Sequence, residues 1–383
     1  MEDIVVENNN KQCEKKGIMI FFLLVISVFT CINLYEFLFR TEANGRLAGL
    51  NELGTVKEQA VTFWGGIQNI LGKDLAFGST IYEDVTRLNN GYFIMADANS
   101  SYEAMLTGCE GAEALASEIG AQFLYVQAPG KQREEYLPEG VVCYSEMKRK
   151  AVVQELRLRG MDVIDMASVL EKTGEDWMSY FYITDHHWNN DAAFLAYQSI
   201  CEYMRKNGTK INENYLDESN FKTILYDDIF LGTHGRMAGP WYTGLDDYEL
   251  WLPDFPTSFS LAVPSEGIYK EGSFEECFVN YGNLEKYSYD YYAYYSYLQR
   301  DYDCIEIKNS NCSEGPSVVV IRDSNAVPVS VFTALQCSEL VLLDLRYMKE
   351  NNAMDYIRNQ NPDYIIYLFG TGYLGEENVV VMR

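Results

Sequence analysis

Histidine is nearly missing from this 383-residue chain: His186, His187 and His234 are the only three. Any imidazole chemistry has to come from those positions. Basic residues are scarce as well, 30 Lys and Arg against 56 Asp and Glu, and the resulting net charge of -26 excludes nucleic-acid phosphate as an electrostatic partner. The nine cysteines form no Cys-x-x-Cys pair and lie in no His-rich stretch, which argues against a zinc site. Apart from Cys13 and Cys31 they are Cys109, Cys143, Cys201, Cys277, Cys304, Cys312 and Cys337, an odd set that cannot pair completely within the chain. Cys304 and Cys312 are close enough to bridge a turn, the alternative being buried thiols. No internal repeat and no long Pro-, Gly- or Ser-rich linker is present. With 48% hydrophobic and 22% charged residues, wholesale disorder is excluded, and the length suits one large or two modest domains.

What is present begins with one long apolar run. Residues 17–39 read GIMIFFLLVISVFTCINLYEFLF, with Glu36 the one acid near the far end. At 1.5 Å per residue such a helix spans a bilayer core. A cleavable signal would have a shorter apolar region and a small-residue cleavage site, so the run predicts an uncleaved signal anchor. Lys11, Lys15 and Lys16 before it, against Arg40 and Arg46 after it, weakly favour a cytoplasmic N-terminus. The expected organisation is a cytoplasmic tail over 1–16, a single-pass transmembrane segment over 17–39, a helical stalk over 40–89 and an extracytoplasmic domain over 90–383. Within the stalk Val56, Ala60, Phe63, Ile67 and Leu71 recur at three- and four-residue spacing, as in a helix that packs one face.

The main domain alternates short apolar runs with amphipathic stretches. Residues 91–95, 123–126, 162–164, 318–321, 340–343 and 364–368 read as strands; 102–119, 144–158, 190–205, a stretch ending near 335 and 348–358 read as helices. Strands apolar on both faces and separated by helices predict an α/β fold with a doubly wound parallel sheet. Residues 210–311 differ, with Trp241, Trp251, clustered prolines and many tyrosines, and read as a β-rich insertion. Seven tyrosines lie between Tyr287 and Tyr297; they form either a sugar-stacking platform or alternate inward-packing and solvent-facing positions.

Chemistry concentrates at Thr184-Asp185-His186-His187-Trp188. In an extended segment residues two apart face the same way, so Asp185 and His187 would converge with His186 turned away, as a carboxylate does that orients a general base. A metal site and a satisfied structural histidine pair are the alternatives; adjacent histidines diverge, and no third His or Cys ligand is near in sequence. The best-placed nucleophile is Ser324, in Arg322-Asp-Ser-Asn325 at the end of a buried strand, where open α/β sheets carry their sites and the next helix can offer N–H groups to an oxyanion. The competing use of Asp323 or Ser324 is as a helix cap.

The run Tyr182-Ile-Thr-Asp-His-His-Trp-Asn resembles the signature of the DHHW family, a branch of the SGNH-hydrolase-like proteins related to alginate O-acetyltransferase-like proteins. Further landmarks follow in that family's order: Ala128-Pro-Gly-Lys131, Gly232-Thr-His-Gly-Arg236, Arg322-Asp-Ser324 and Leu343-Asp-Leu-Arg-Tyr347. The resemblance runs from about residue 90 to the C-terminus. It implies a flavodoxin-like fold, with Ser324 as nucleophile, His187 as general base and Asp185 as its orienting residue. It implies no metal and no cofactor. Relatives carry an aromatic residue after the nucleophile and often an Asn three positions on; here these are Asn325 and Val327, so backbone N–H groups or the Asn325 side chain would serve the oxyanion. Asn325, Arg236, His186 and Trp188 are the candidates for substrate or oxyanion contact, with Trp188 expected mainly behind the catalytic loop. The implied activity is a membrane-anchored O-acetyltransferase acting on a cell-surface or exported polysaccharide, with an acetyl-accepting glycan and a membrane-bound O-acyltransferase donor as partners. A carbohydrate acetyl esterase and an inactive glycan-binding module of the same fold are the alternatives.

Overall fold

A computed structural model describes residue 27 and residues 54–77, 81–349 and 352–383. The predicted membrane segment over 17–39 lies outside the described residues apart from residue 27. No helix among the described residues is long and apolar enough to cross a membrane.

The strands, in chain order, are β1 (Val85–Arg87), β2 (Phe93–Met95), β3 (Gln122–Gln127), β4 (Val163–Asp165), β5 (Phe221–Phe230), β6 (Asp246–Pro253), β7 (Phe259–Val263), β8 (Ile268–Gly272), β9 (Cys304–Asn309), β10 (Ser317–Arg322), β11 (Glu339–Leu343) and β12 (Tyr364–Phe369). Eight of them form one sheet in the order β4-β3-β12-β10-β11-β9-β7-β8. Its first five strands are parallel, as the buried apolar runs predict. The last three, from the insertion, are antiparallel, so the central sheet is mixed rather than wholly parallel. The alternating burial of β7 is in keeping with a place near the sheet edge, where one face stays partly open. Residues 91–95 differ from expectation too: β2 pairs antiparallel with β1 in a separate ribbon.

Helices cover both faces of the sheet. Leu124, Val126, Val318, Val320, Leu342 and Ile366 point to the side of Asn190–Lys206 and Ala326–Thr333; their neighbours Phe123, Tyr125, Val319, Ile321, Leu343 and Tyr367 point to the side of Glu103–Ile119, Ser145–Leu158 and Ala353–Gln360. This period-two division makes β12 buried throughout and β10 buried from its second residue on. The carboxyl ends of β3, β10 and β11 open onto one edge, and the sequence landmarks at Lys131, Ser324 and Arg346 follow those ends directly. Cys304 and Cys312 are not bridged; β9 extends between them, and all seven described cysteines are free.

Candidate active site

The strand β10 delivers Ser324 to the carboxyl edge, two residues past its last member. Asp323 shapes that turn: its Oδ1 accepts the Asn325 N–H at 2.8 Å and its Oδ2 accepts the Gly370 N–H at 2.8 Å. Burial pushes the Asp323 carboxyl above its ordinary range. Neither Asp323 nor Ser324 is the N-cap of the helix Ala326–Thr333; Asn325 holds that position, with no side-chain cap bond.

The second half of the site comes from the Asp185-His186-His187 segment, which is a bend and not an extended strand. Asp185 and His187 converge because Asp185 Oδ1 accepts the His187 backbone N–H at 2.9 Å, the two-residue reach of an Asx turn. The same Oδ1 lies 2.5 Å from His187 Nδ1, and His187 Nε2 lies 2.8 Å from Ser324 Oγ. Asp185 Oδ2 accepts the Thr233 N–H at 2.6 Å and the Tyr292 hydroxyl. Burial raises the Asp185 pKa, but the imidazoles of His187 and His186 and the bonds from His187 and Tyr292 outweigh it and hold the carboxyl well below the usual range. With Asp185 ionised, the His187 proton sits on Nδ1, and Nε2 is left to accept from Ser324. Gly232 is required at its position because a Cβ there would lie 2.4 Å from that of Asp185.

The histidines do not diverge as extended geometry predicts: the rings of His186 and His187 lie 3.8 Å apart, and buried His234 sits 6.2 Å from His186. Asp185, His186 and His187 present ligand atoms within 4.8 Å of one another, close enough for a cation. Yet both ring nitrogens of His187 are already engaged by Asp185 and Ser324, so a cation would have to break that chain.

The four residues considered for substrate or oxyanion contact separate clearly. His186, 44% exposed in its side chain, lies at the rim of the site. Trp188 is fully buried and donates from Nε1 to the Asn325 carbonyl at 3.0 Å, tying the two catalytic loops together from behind. Arg236 is engaged by the protein beside the site: it donates to the carbonyls of Leu231 and Tyr291 and its guanidinium lies 4.6 Å from the Tyr292 ring centre. Asn325 gives its backbone N–H and one N–H of its side-chain amide to Asp323 Oδ1, which leaves the Ser324 backbone N–H and the second Asn325 amide N–H as donors in this turn with no acceptor among the described residues.

Several participants were not singled out in the sequence. Tyr294 stacks on His187 at 3.8 Å and 13° and donates to the Ser324 carbonyl at 2.9 Å. Tyr292 keeps its proton, since burial and the Asp185 charge push its phenol well above the ordinary range, and its hydroxyl also meets Thr233 Oγ1 at 2.9 Å. The tyrosine cluster thus packs inward at these two positions against the catalytic residues. Lys131 Nζ donates to the carbonyls of Tyr182, Ile183 and Asp185 at 2.7, 2.8 and 2.6 Å, and Asp246 accepts the N–H groups of Ile183 and Thr184 at 2.5 and 2.8 Å. Together they clamp the backbone leading into Asp185. Burial draws Lys131 down to about 7 and pushes Asp246 up to about 6. The position of Lys131 in a motif and the place of Tyr292 and Tyr294 in the tyrosine cluster were the available signals; nothing marked Asp246.

Replacing Tyr292 by Phe removes one charge-assisted bond to Asp185 and leaves those from Thr233 and His187. The expected result is a fall in kcat of about 10-fold, equivalent to ~1.4 kcal/mol, with KM unchanged. Steady-state kinetics on an acetyl ester measures it, and an unaltered kcat would show that the Tyr292 hydroxyl serves packing alone.

The sequence of residues 95–225 matches the family model described as ALGX, the SGNH hydrolase-like domain of acetyltransferase AlgX. None of the curated proteins matches the chain. Among solved structures, Bacillus cereus PatB1 with a sulfonyl adduct superposes with a TM-score of 0.62 at 18% identity, covering 78% of this chain and 99% of that one. A DHHW family protein from Eubacterium siraeum DSM 15702 superposes with a TM-score of 0.56 at 16% identity, covering 80% and 98%. Over residues 95–225 the chain is therefore similar to the SGNH hydrolase-like domain of the AlgX acetyltransferases, and its fold is that of the DHHW-family structure, in keeping with the resemblance carried by its five motifs.

Proposed function

We propose that the protein is a membrane-anchored O-acetyltransferase that modifies a cell-surface or exported polysaccharide through an acetyl-enzyme on Ser324. The observation that carries this reading is the unbroken chain from Asp185 through His187 to Ser324 Oγ at 2.5 and 2.8 Å. His187 Nε2 takes the hydroxyl proton as Ser324 attacks an acetyl ester; the carbonyl oxygen becomes the oxyanion, with the Ser324 N–H as its nearest free backbone donor. His187 then returns the proton to the departing alcohol. In the second half a sugar hydroxyl gives its proton to His187 and attacks the acetyl carbonyl, and as the bond to Ser324 Oγ breaks, His187 returns that proton to the serine oxygen. Asp185 stays ionised throughout and stabilises the imidazolium.

The AlgX description names an acetyltransferase, which supports transfer to a sugar over transfer to water. The apolar run at residues 17–39 supports anchoring with the domain outside the membrane, where a membrane-bound O-acyltransferase would supply acetyl groups. The test is to incubate the detergent-solubilised full chain with a chromogenic acetyl ester and a panel of neutral, cationic and acidic oligosaccharides. Acetylated oligosaccharide in the products is the expected result. Free acetate with no acceptor modified would make the protein an esterase, and no turnover with the glycan still bound would make it a binding module. PatB1 carries a sulfonyl adduct, and a sulfonyl fluoride is expected to modify this chain at Ser324, as peptide mass mapping would show.

A further inference from the structure

The helix Gly54–Ile70 is seated on the domain through its small residues, and part of its apolar surface is left open. A Cβ at Gly65 would lie 2.1 Å from the Ala238 carbonyl oxygen, one at Gly66 would lie 3.0 Å from the Trp241 ring, and one at Gly239 would lie 2.7 Å from the Val61 carbonyl oxygen. Gly65 and Gln68 mark the buried side. The open apolar residues lie toward its C-terminal end. Trp64 is 37% exposed, Leu71 61% and Ile70 87%, while Ile67 is half-buried between them, and Trp241, 61% exposed, adjoins this face through its contact with Gly66.

Such a patch of tryptophan, isoleucine and leucine on a chain of net charge -26 needs an occupant. We propose that it rests on the lipid bilayer, with Trp64 and Trp241 at the level of the headgroups. Two observations select lipid. Residues 40–53, fourteen in number, join the apolar run at 17–39 to this helix, so its start lies within about 50 Å of the membrane even if that stretch is fully extended. The charges do not oppose it: Lys57 and half-buried Glu58 lie near the start of the helix and exposed Lys73 and Asp74 just past its end, so this face is neutral on a strongly acidic chain. The residue types are those of interfacial helices, in which tryptophan and aliphatic side chains enter lipid beside lysine.

The consequence concerns the active site. The segment that receives the seated side of this helix begins with Gly232 and Thr233, and Thr233 holds Asp185. Docking therefore sets the catalytic edge one layer of helices above the lipid surface, within reach of an acetyl donor held in the membrane. The inference rests on the anchor reading given above, and the test separates the two.

The full chain is reconstituted in vesicles of phosphatidylcholine and phosphatidylglycerol, with part of the phosphatidylcholine brominated at acyl positions 6 and 7, and no other protein is present. Vesicle flotation is measured first, then tryptophan fluorescence. Two of the five tryptophans face lipid, so quenching of about a third is expected. The Trp64→Phe/Trp241→Phe double variant should lose it. Ile70→Asp/Leu71→Asp, which alters exposed positions only, should reduce the quenching at least twofold and leave hydrolysis of a water-soluble ester unchanged. A chain that floats with the vesicles and is not quenched overturns the docking face and leaves the anchor standing. A chain that does not float overturns both. Self-association that Ile70→Asp abolishes, without quenching, assigns the face to a second copy and overturns lipid docking.

Discussion

Replacing Ser324 by Ala is expected to lower acetyl-ester turnover by about 10⁴-fold or more, and His187→Ala to cost nearly as much. The two losses should not add. Both side chains serve one proton transfer, across the 2.8 Å contact between His187 Nε2 and Ser324 Oγ, so once either is gone the other has nothing to act on. The double variant is therefore expected within about threefold of the worse single one, which a double-mutant cycle on kcat/KM measures. Strict additivity would mean that His187 acts on something other than the serine proton. Ser324→Ala should leave folding nearly unchanged, whereas His187→Ala removes a partner of buried Asp185 and the ring stacked on Tyr294 and should lower the melting temperature. Thermal melting of each variant separates lost chemistry from lost structure.

The grouping of Asp185, His187 and Ser324 was legible because two kinds of pattern were local. Scarcity of histidine left few candidates, and the buried run ending at Arg322 gave Ser324 a defined place at the carboxyl edge of a strand. The convergence of Asp185 with His187 was anticipated for a different reason from the one that operates: an Asx turn, not strand alternation, brings them together, and in a turn His186 stays beside His187 instead of facing away. What periodicity could not show is how the insertion returns to the site. Tyr292 and Tyr294 lie over a hundred residues from Asp185 and His187, and no spacing rule connects a tyrosine to a carboxylate across that separation. The antiparallel strands β7, β8 and β9 escaped for a related reason, because pairing direction is set by how the chain returns and not by the strand's own residues. Asn325 is the converse case. Its type suggests an oxyanion donor, but the adjacent buried Asp323 takes its backbone N–H and one of its two amide N–H groups, a competition visible only in three dimensions.

The landmarks with no part in the chemistry explain themselves in a buried ion cluster beneath Ser324, and breaking it is expected to cost more stability than any other single change considered. Arg322, wholly buried, pairs with Asp301 at 2.5 Å and lies 3.6 Å from Asp344; Arg346 pairs with Asp301 at 3.0 Å and with Asp344 at 2.6 Å. Two guanidinium groups and two carboxylates thus balance in a dry setting, and the Tyr295 hydroxyl adds a bond to Asp301 at 2.7 Å. Asp301→Ala leaves Arg322 and Arg346 facing each other across Asp344 alone, at an expected cost of about 3–5 kcal/mol by urea denaturation. Arg322 has no partner for Nε or Nη2 among the described residues, so its own burial is incompletely repaid by hydrogen bonds. It follows that removing both partners, as in Arg322→Met/Asp301→Leu, should recover most of the loss, to within about 1–2 kcal/mol of the parent. Acid makes the same distinction. Burial raises the Asp301 pKa, but Arg322 and Arg346 outweigh it and hold the carboxyl below its usual range. Its stabilisation is therefore complete above the unfolded aspartate pKa of about 3.9 and drains away as the pH falls below that value. The parent should lose this part of its stability on acidification and the double variant should not. Equal acid sensitivity in the two would show that the cluster contributes packing around β10 and not charge balance.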